Sequence, residues 1–194
     1  MERRFFWVVT GILLVVILAA GIATIITHLP KAYYGSVINP ASPAPGFSLT
    51  DQNGQSVSLS SLRGKFVLIY FGYTHCTNEC PATMAILTKA RSLLGNQATQ
   101  VQVVFIATDP ARDTPQAVGE FLNRFDSSFL GATGTQAQLQ PVWAEYGVTV
   151  EDGGETHSSY VYLIDPNGNL LMTYPFPSTA EGISSDLRLL LRKY

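Results

Sequence analysis

Residues 65–95 read KFVLIYFGYTHCTNECPATMAILTKARSLLG, and the order of signals inside this stretch decides the fold. It opens with KFVLIYFG (65–72), an unbroken apolar, β-rich run of the kind expected for a strand buried on both faces. A loop carrying both cysteines of the chain, Cys76 and Cys80, follows at once. After Pro81 the pattern changes to a helical one, with Met84, Leu87 and Leu94 on one face and Gly95 as a stop. The stretch therefore predicts a strand, a cysteine loop and a helix, in that order.

Working outward, FSLTDQNGQSVSL (47–59) predicts a short hairpin turned by Asn53-Gly54. VQVVFIAT (101–108) predicts a second buried strand. DTPQAVGEFLNRF begins a helix, with Thr114 as cap and Pro115 at its first position. QAQLQPVWAEYG predicts a shorter helix, with Pro141 expected in its first turn. SSYVYLID and LLMTYPF read as strands joined by PNG, and Ser178 with Glu181 reads as a capping box for a final helix ending about Arg192. Two strand–helix pairs, then an antiparallel hairpin and a last helix, are the order of a thioredoxin-like α/β sandwich.

The start of the chain differs in character. Residues 5–29, FFWVVTGILLVVILAAGIATIITHL, contain no Asp, Glu, Lys or Arg. At about 1.5 Å per residue such a helix exceeds a hydrocarbon core of about 30 Å. It is also longer than the apolar region of a cleaved signal, about 7–15 residues. An uncleaved single-pass anchor is expected. Arg3 and Arg4 before it place the N-terminus in the cytoplasm and the rest outside. The short start has no Ser- and Arg-rich amphipathic leader of an organelle transit peptide, and the plasma membrane of a bacterium is the expected location. Residues 30–45, PKAYYGSVINPASPAP, read as a Pro-rich tether, and residues 46–194 as the globular domain. The formal net charge of −2 and the lack of a Lys/Arg cluster after the anchor argue against nucleic acid as a partner.

The cysteines lie where open α/β sheets place their sites, at the carboxyl end of a strand and before a helix. Unpaired N–H groups at a helix start favour thiolates, which both disulfide exchange and metal binding require. Three residues between the cysteines widen the loop relative to a two-residue redox turn. If the loop is helical, the i, i+4 spacing puts both sulfurs on one face, able to converge on an ion and still able to close to a disulfide. Two thiolates leave most metals short of a ligand, and the chain has three histidines. His28 lies at the end of the apolar span. His75 adjoins Cys76, with its side chain directed away from that sulfur in an extended backbone. His157, in the loop before SSYVYLID, is expected to face the cysteine loop. A Cys2His set has too few ligands for closed structural zinc. It suits Cu(I), while Cu(II) would want a harder fourth donor. Rival readings are a membrane-anchored thiol–disulfide oxidoreductase in which Cys76 attacks and Cys80 resolves, a peroxidase, and a structural disulfide in an adaptor domain.

Four segments in order resemble the Sco (SenC) family of copper chaperones: PGFSLTDQNGQSVSLSSLRGKFVLIYFGYTHC, CTNECP, TDPARDTP and HSSYVYLIDPNG. They extend over nearly all of the part outside the anchor. The resemblance implies copper ligation by Cys76, Cys80 and His157. It also implies delivery of copper to the binuclear centre of cytochrome c oxidase, or reduction of that centre's cysteines. The implied partners are the oxidase's copper-bearing subunit, other copper carriers and a thiol reductant. The family loop commonly carries Pro and Asp after its first cysteine. Thr77 and Asn78 stand there instead, which removes a carboxylate beside the site. Asp109 is expected near the site, as a support of the ligands or as a turn residue, and Asp113 as a helix-start residue.

Overall fold

A computed structural model describes residues 33–151, 156–157 and 159–194, with Val15, Ile17 and Leu18 before them. The side chains of Thr156 and His157 are outside the described set. The chain divides into two units, 1–32 and 33–194, and the fold lies in the second. The expected anchor falls outside the described residues, save that Val15, Ile17 and Leu18 are helical. Among the described residues no helix is long and apolar enough to cross a membrane.

The second unit opens with β1 (Ser36–Pro43) and the hairpin β2 (Ser48–Asp51) and β3 (Ser56–Ser58). The central strand β4 (Phe66–Gly72) leads into helix α1 (Glu79–Ser92), and β5 (Val101–Ala107) into α2 (Pro115–Leu122). Next come β6 (Leu130–Thr133), α3 (Gln136–Glu145) and two short strands, β7 (Val150–Glu151) and β8 (Thr156–His157). The hairpin β9 (Tyr160–Ile164) and β10 (Asn169–Pro175) precedes the last helix, α4 (Ala180–Leu191). Eight strands form one mixed sheet in the order β1-β10-β9-β4-β5-β6-β2-β3, and β7-β8 form a separate ladder. β4, β5 and β6 run parallel, whereas β9 is antiparallel to β4.

The apolar run of β4 is explained by its position. Phe66, Leu68 and Tyr70 enter one core with Met84 and Leu87 of α1, Phe121 of α2 and Leu187 of α4. Val67, Ile69 and Phe71 enter the other, with Leu139 and Trp143 of α3. Each large side chain so buried stabilises by about 1.5–3 kcal/mol relative to exposure. The thioredoxin-like sandwich expected from the sequence is thus present, with helices on both faces of the sheet.

Several local expectations are corrected. The stretch read as a tether over 30–45 contributes the edge strand β1, paired to β10. Prolines 40 and 43 are tolerated there because an edge strand can leave backbone donors unpaired. Just before it, the amides of Tyr34 and Gly35 donate to the buried carboxylate of Asp186, both at 2.9 Å. Helix α1 starts at Glu79, ahead of Pro81, because a proline in the first turn removes an N–H that has no partner anyway. Gly95 begins a 3-10 turn (Gly95–Gln100) with φ 57°. Pro141 lies inside α3, not in its first turn. There Gln138 Oε1 accepts from the amide of Thr135, and burial of Leu139, Val142 and Trp143 offsets the bond lost at Pro141. The cap of α4 is Thr179, whose Oγ1 accepts from Gly182 N at 3.1 Å, while Ser178 Oγ donates to Pro175 O.

Candidate metal centre

At the end of β4, the carbonyl of Gly72 accepts from Thr108 N at 2.7 Å, which ties the ends of the two central strands together. Gly72 is required by a close approach. A Cβ there would meet Cys80 Sγ at 3.0 Å and the rings of Phe105 and Tyr70 at 2.9 Å. The turn then closes with Cys76 N donating to Tyr73 O at 3.3 Å, and Ala82 N reaching Asn78 O at 3.2 Å starts the helix. Cys80 is the second residue of α1, and its amide donates to Cys76 Sγ at 3.3 Å. Neither cysteine is in a disulfide, and the i, i+4 spacing brings the two to one turn of chain as the sequence suggested.

The two sulfurs differ in surroundings. Cys76 is partly exposed, and Cys80 is fully buried. Burial pushes the Cys76 thiol up, but the backbone N–H groups of Cys80 and Asn78, with the Cys80 and Tyr73 side chains, outweigh it and hold the thiol below its ordinary value. Burial pushes Cys80 up to about 12, even though the Tyr73 amide favours its thiolate. Tyr70 Oη donates to Cys80 Sγ at 3.7 Å. Its phenol is itself held far above its usual range by burial and by the neighbouring thiol.

Asp113 stands just ahead of Thr114, the cap of α2, as expected of a helix-start residue, but its side chain is turned to the cysteine loop. It is fully buried. Its Oδ1 accepts from Thr74 Oγ1 at 2.7 Å and Thr74 N at 3.0 Å, two residues before Cys76. Its own amide donates to Asp109 O at 2.8 Å, and its carbonyl accepts from Thr133 Oγ1 at 2.7 Å. The residue thus bolts the cysteine loop to the β5–α2 connection. Asp109 is also buried, and its carboxylate accepts from Arg112 Nε. His75 is exposed, with Nδ1 3.0 Å from Thr74 Oγ1.

His157 belongs to strand β8, not to an open loop, and its Cα lies opposite that of Val150 in β7. The cysteine helix reaches towards this segment. Ser159 Oγ, two residues beyond His157, donates to Glu79 Oε2 at 2.5 Å. Among the described residues no group of three or more His, Cys, Asp or Glu side chains is gathered around one point. Chemically, the described half of the site offers two sulfurs that can coordinate one soft ion or close on each other. Thr74, Asp113 and Ser159 lie within the segments that resemble the family, but nothing in their local sequence shows which side chains they meet. Glu79 was legible only as a carboxylate inside CTNEC.

The SCO1/SenC family model matches residues 37–192. The SCO2-like protein of Rickettsia conorii is 35% identical over 151 residues, covering 73% of this chain and 74% of the relative. Among solved structures, Bradyrhizobium japonicum ScoI with copper bound is 34% identical with a TM-score of 0.70, covering 76% of this chain and 99% of that one. BsSco is described as a member of the Sco family of cytochrome c oxidase assembly proteins with a disulfide switch. It is 25% identical with a TM-score of 0.66, covering 79% of this chain and 96% of that one. The thioredoxin domain of a Bacteroides vulgatus thiol-disulfide oxidoreductase, 18% identical with a TM-score of 0.60 over 77% of this chain and 95% of that one, shares the fold alone. With the family model covering residues 37–192, which hold every helix of the second unit and all of its sheet but Ser36, this chain belongs to the SCO1/SenC family.

Proposed function

We propose that this chain is a membrane-anchored copper carrier that loads the binuclear copper centre of cytochrome c oxidase, or reduces that centre's cysteines. Copper is its cargo, taken as Cu(I) or Cu(II), and Cys76, Cys80 and His157 are the ligands. The observation that carries this reading is the pairing of the two sulfurs on one turn, with Cys80 N–H on Cys76 Sγ at 3.3 Å, joined through Glu79 and Ser159 to the segment bearing His157. Two thiolates and an imidazole make a soft, three-donor set suited to Cu(I). A partly exposed sulfur at Cys76 gives an incoming ligand a point of entry. Copper in the related ScoI and the oxidase-assembly role of BsSco support the same reading. The anchor is residues 5–29, and the domain is on the extracytoplasmic side of a bacterial plasma membrane. The uncharged run, Arg3 and Arg4 before it, and the helical Val15, Ile17 and Leu18 within it support that placement.

A second reading draws on the asymmetry of the thiols. A partly exposed Cys76 held below the ordinary thiol range beside a buried, raised Cys80 is the arrangement of an attacking and a resolving cysteine. The Cys76 thiolate would attack a target disulfide and displace one target thiolate. Cys80 would then lose its proton and close on Cys76, releasing the second target thiol; two electrons pass to the target, and the chain is left as the disulfide. The two readings share a condition, since the thiols must be reduced before they take metal.

Anaerobic Cu(I) titration of the reduced full-length chain, against a competing chelator, separates them. The carrier reading expects one tightly held copper per chain, weakened in His157→Ala and lost in Cys80→Ser. A wild-type chain that holds no copper yet reduces protein disulfides would overturn it in favour of the oxidoreductase.

A further inference from the structure

Glu79 and Ser159 stand next to the proposed ligands without being ligands themselves. Glu79 directly precedes Cys80, and Ser159 follows His157 by two residues. Their side chains meet in a 2.5 Å O–H···O contact across 80 positions of sequence. That length is in the range of a hydroxyl on an ionised carboxylate, a bond roughly twice as strong as a neutral one. Both groups are half-buried, so water competes poorly for either partner. An acid in the first turn of a helix is favoured by the unpaired amides around it and needs no distant partner. Glu79 nonetheless bridges to the far segment.

The rest of the His157 segment is placed differently from the cysteine loop. Among the described residues, β8 pairs with β7 in a ladder separate from the eight-stranded sheet. Ser159 sits where that ladder returns to the sheet, and its carbonyl accepts from Phe176 N at 3.0 Å. It also lines a cavity of about 10 Å³, shared with Tyr70, Thr83 and Tyr174. The Glu79 bond therefore ties the first turn of α1, beside Cys80, to the residue that precedes β9.

We propose that the Ser159–Glu79 hydrogen bond is the joint that seats His157 beside Cys76 and Cys80, making Glu79 and Ser159 positioning residues that set how firmly the third ligand holds copper. This rests on the copper-carrier reading. Thiolate ligation alone would survive loss of the joint, and imidazole ligation would weaken. A carrier so built can lower its grip by releasing one hydrogen bond while both sulfurs stay in place.

The test is anaerobic Cu(I) competition with the reduced full-length chain, as wild type, Ser159→Ala, Ser159→Thr, Glu79→Gln, His157→Ala and the double variant Ser159→Ala/His157→Ala. Loss of a charge-assisted bond predicts affinity about tenfold weaker in Ser159→Ala. Ser159→Thr, which keeps the hydroxyl, and Glu79→Gln, which keeps an acceptor oxygen, should hold within about threefold of wild type on the same scale. The double variant should bind no more weakly than His157→Ala, since the joint acts through that imidazole. Wild-type affinity in Ser159→Ala alongside a weakened His157→Ala would overturn the joint and leave the site standing. Fully additive losses in the double variant would also overturn it. Unchanged affinity in His157→Ala would remove the site reading itself, and the joint with it.

Discussion

The cysteine loop and the His157 segment are built in opposite ways. The loop grows directly out of the most buried strand of the sheet and is anchored at both ends. Gly72 lies against Cys80 Sγ, Tyr70 donates to the same sulfur, and Asp113 grips Thr74. Among the described residues, the His157 strand pairs with β7 outside that sheet, and the Ser159–Glu79 bond joins its exit to the cysteine helix. The difference teaches how the proposed carrier reconciles capture with release. The part that must present thiolates in register is preorganised by the core, and the part that completes the proposed site is left outside the sheet.

The largest expected contrast lies within the cysteine loop itself. With Cys76 held below the ordinary thiol range and Cys80 buried and pushed up to about 12, the two should differ sharply towards an alkylating reagent. A brief iodoacetamide pulse on the reduced chain at pH 7, read by peptide mass spectrometry, should label Cys76 at least about a hundredfold faster, because each pKa unit is tenfold in thiolate. Its rate should reach half-maximum below the ordinary thiol value of about 8.5. Equal labelling would erase the asymmetry on which the resolving role of Cys80 depends.

Next in size is the cost of loosening the loop. Gly72→Ala drives a methyl into Cys80 Sγ and two aromatic rings, and should destabilise the metal-free protein by about 1–3 kcal/mol in urea denaturation. Asp113→Ala removes the acceptor for two Thr74 donors and should cost about 1–2 kcal/mol. Asp113 also gives this half a pH signature. Burial first, and Asp109 beside it, hold its carboxyl above the usual carboxylate range despite the Thr74 bonds. The folded state therefore binds more protons than the unfolded one between the two pKa values. Stability from this group is full below the unfolded value of about 3.9 and falls as pH rises through the raised one. Asp113→Asn should flatten that slope in the pH dependence of the unfolding midpoint, and an unaltered slope would remove Asp113 as its source.

The smallest effect belongs to the other half. His157→Ala should change the stability of the metal-free chain by less than about 0.5 kcal/mol, because its strand contributes nothing to the eight-stranded sheet. A loss as large as that of Gly72→Ala would show the two halves to be equally integrated.

Much of this division was legible in the residues and some was not. The run KFVLIYFG announces a central strand because a strand covered on both faces buries consecutive side chains, as Phe66 to Phe71 are here. The CxxxC spacing then locates the sulfurs at its end. The edge strand β1 was hidden because Pro40 and Pro43 suppress the strand signal, while the pairing that overrides them lies with β10, far along the chain. Asp113 was hidden because an acid before Thr-Pro reads locally as a helix start. Only the fold reveals that Thr74 comes within 2.7 Å of it. Ser159 and Glu79 carry no pattern at all, since a hydrogen bond across 80 positions leaves no periodicity to find. The loss of the family's carboxylate at Asn78 also takes on a different meaning, because the neighbouring Glu79 supplies one that faces Ser159.

Copper K-edge X-ray absorption of the Cu(I)-loaded full-length chain bears most directly on the central proposal that Cys76, Cys80 and His157 hold the ion together. The predicted coordination is two sulfur donors and one nitrogen donor, with the nitrogen lost in His157→Ala and both sulfurs retained. Sulfur-only coordination in the wild type, or a nitrogen donor that persists in His157→Ala, would contradict it.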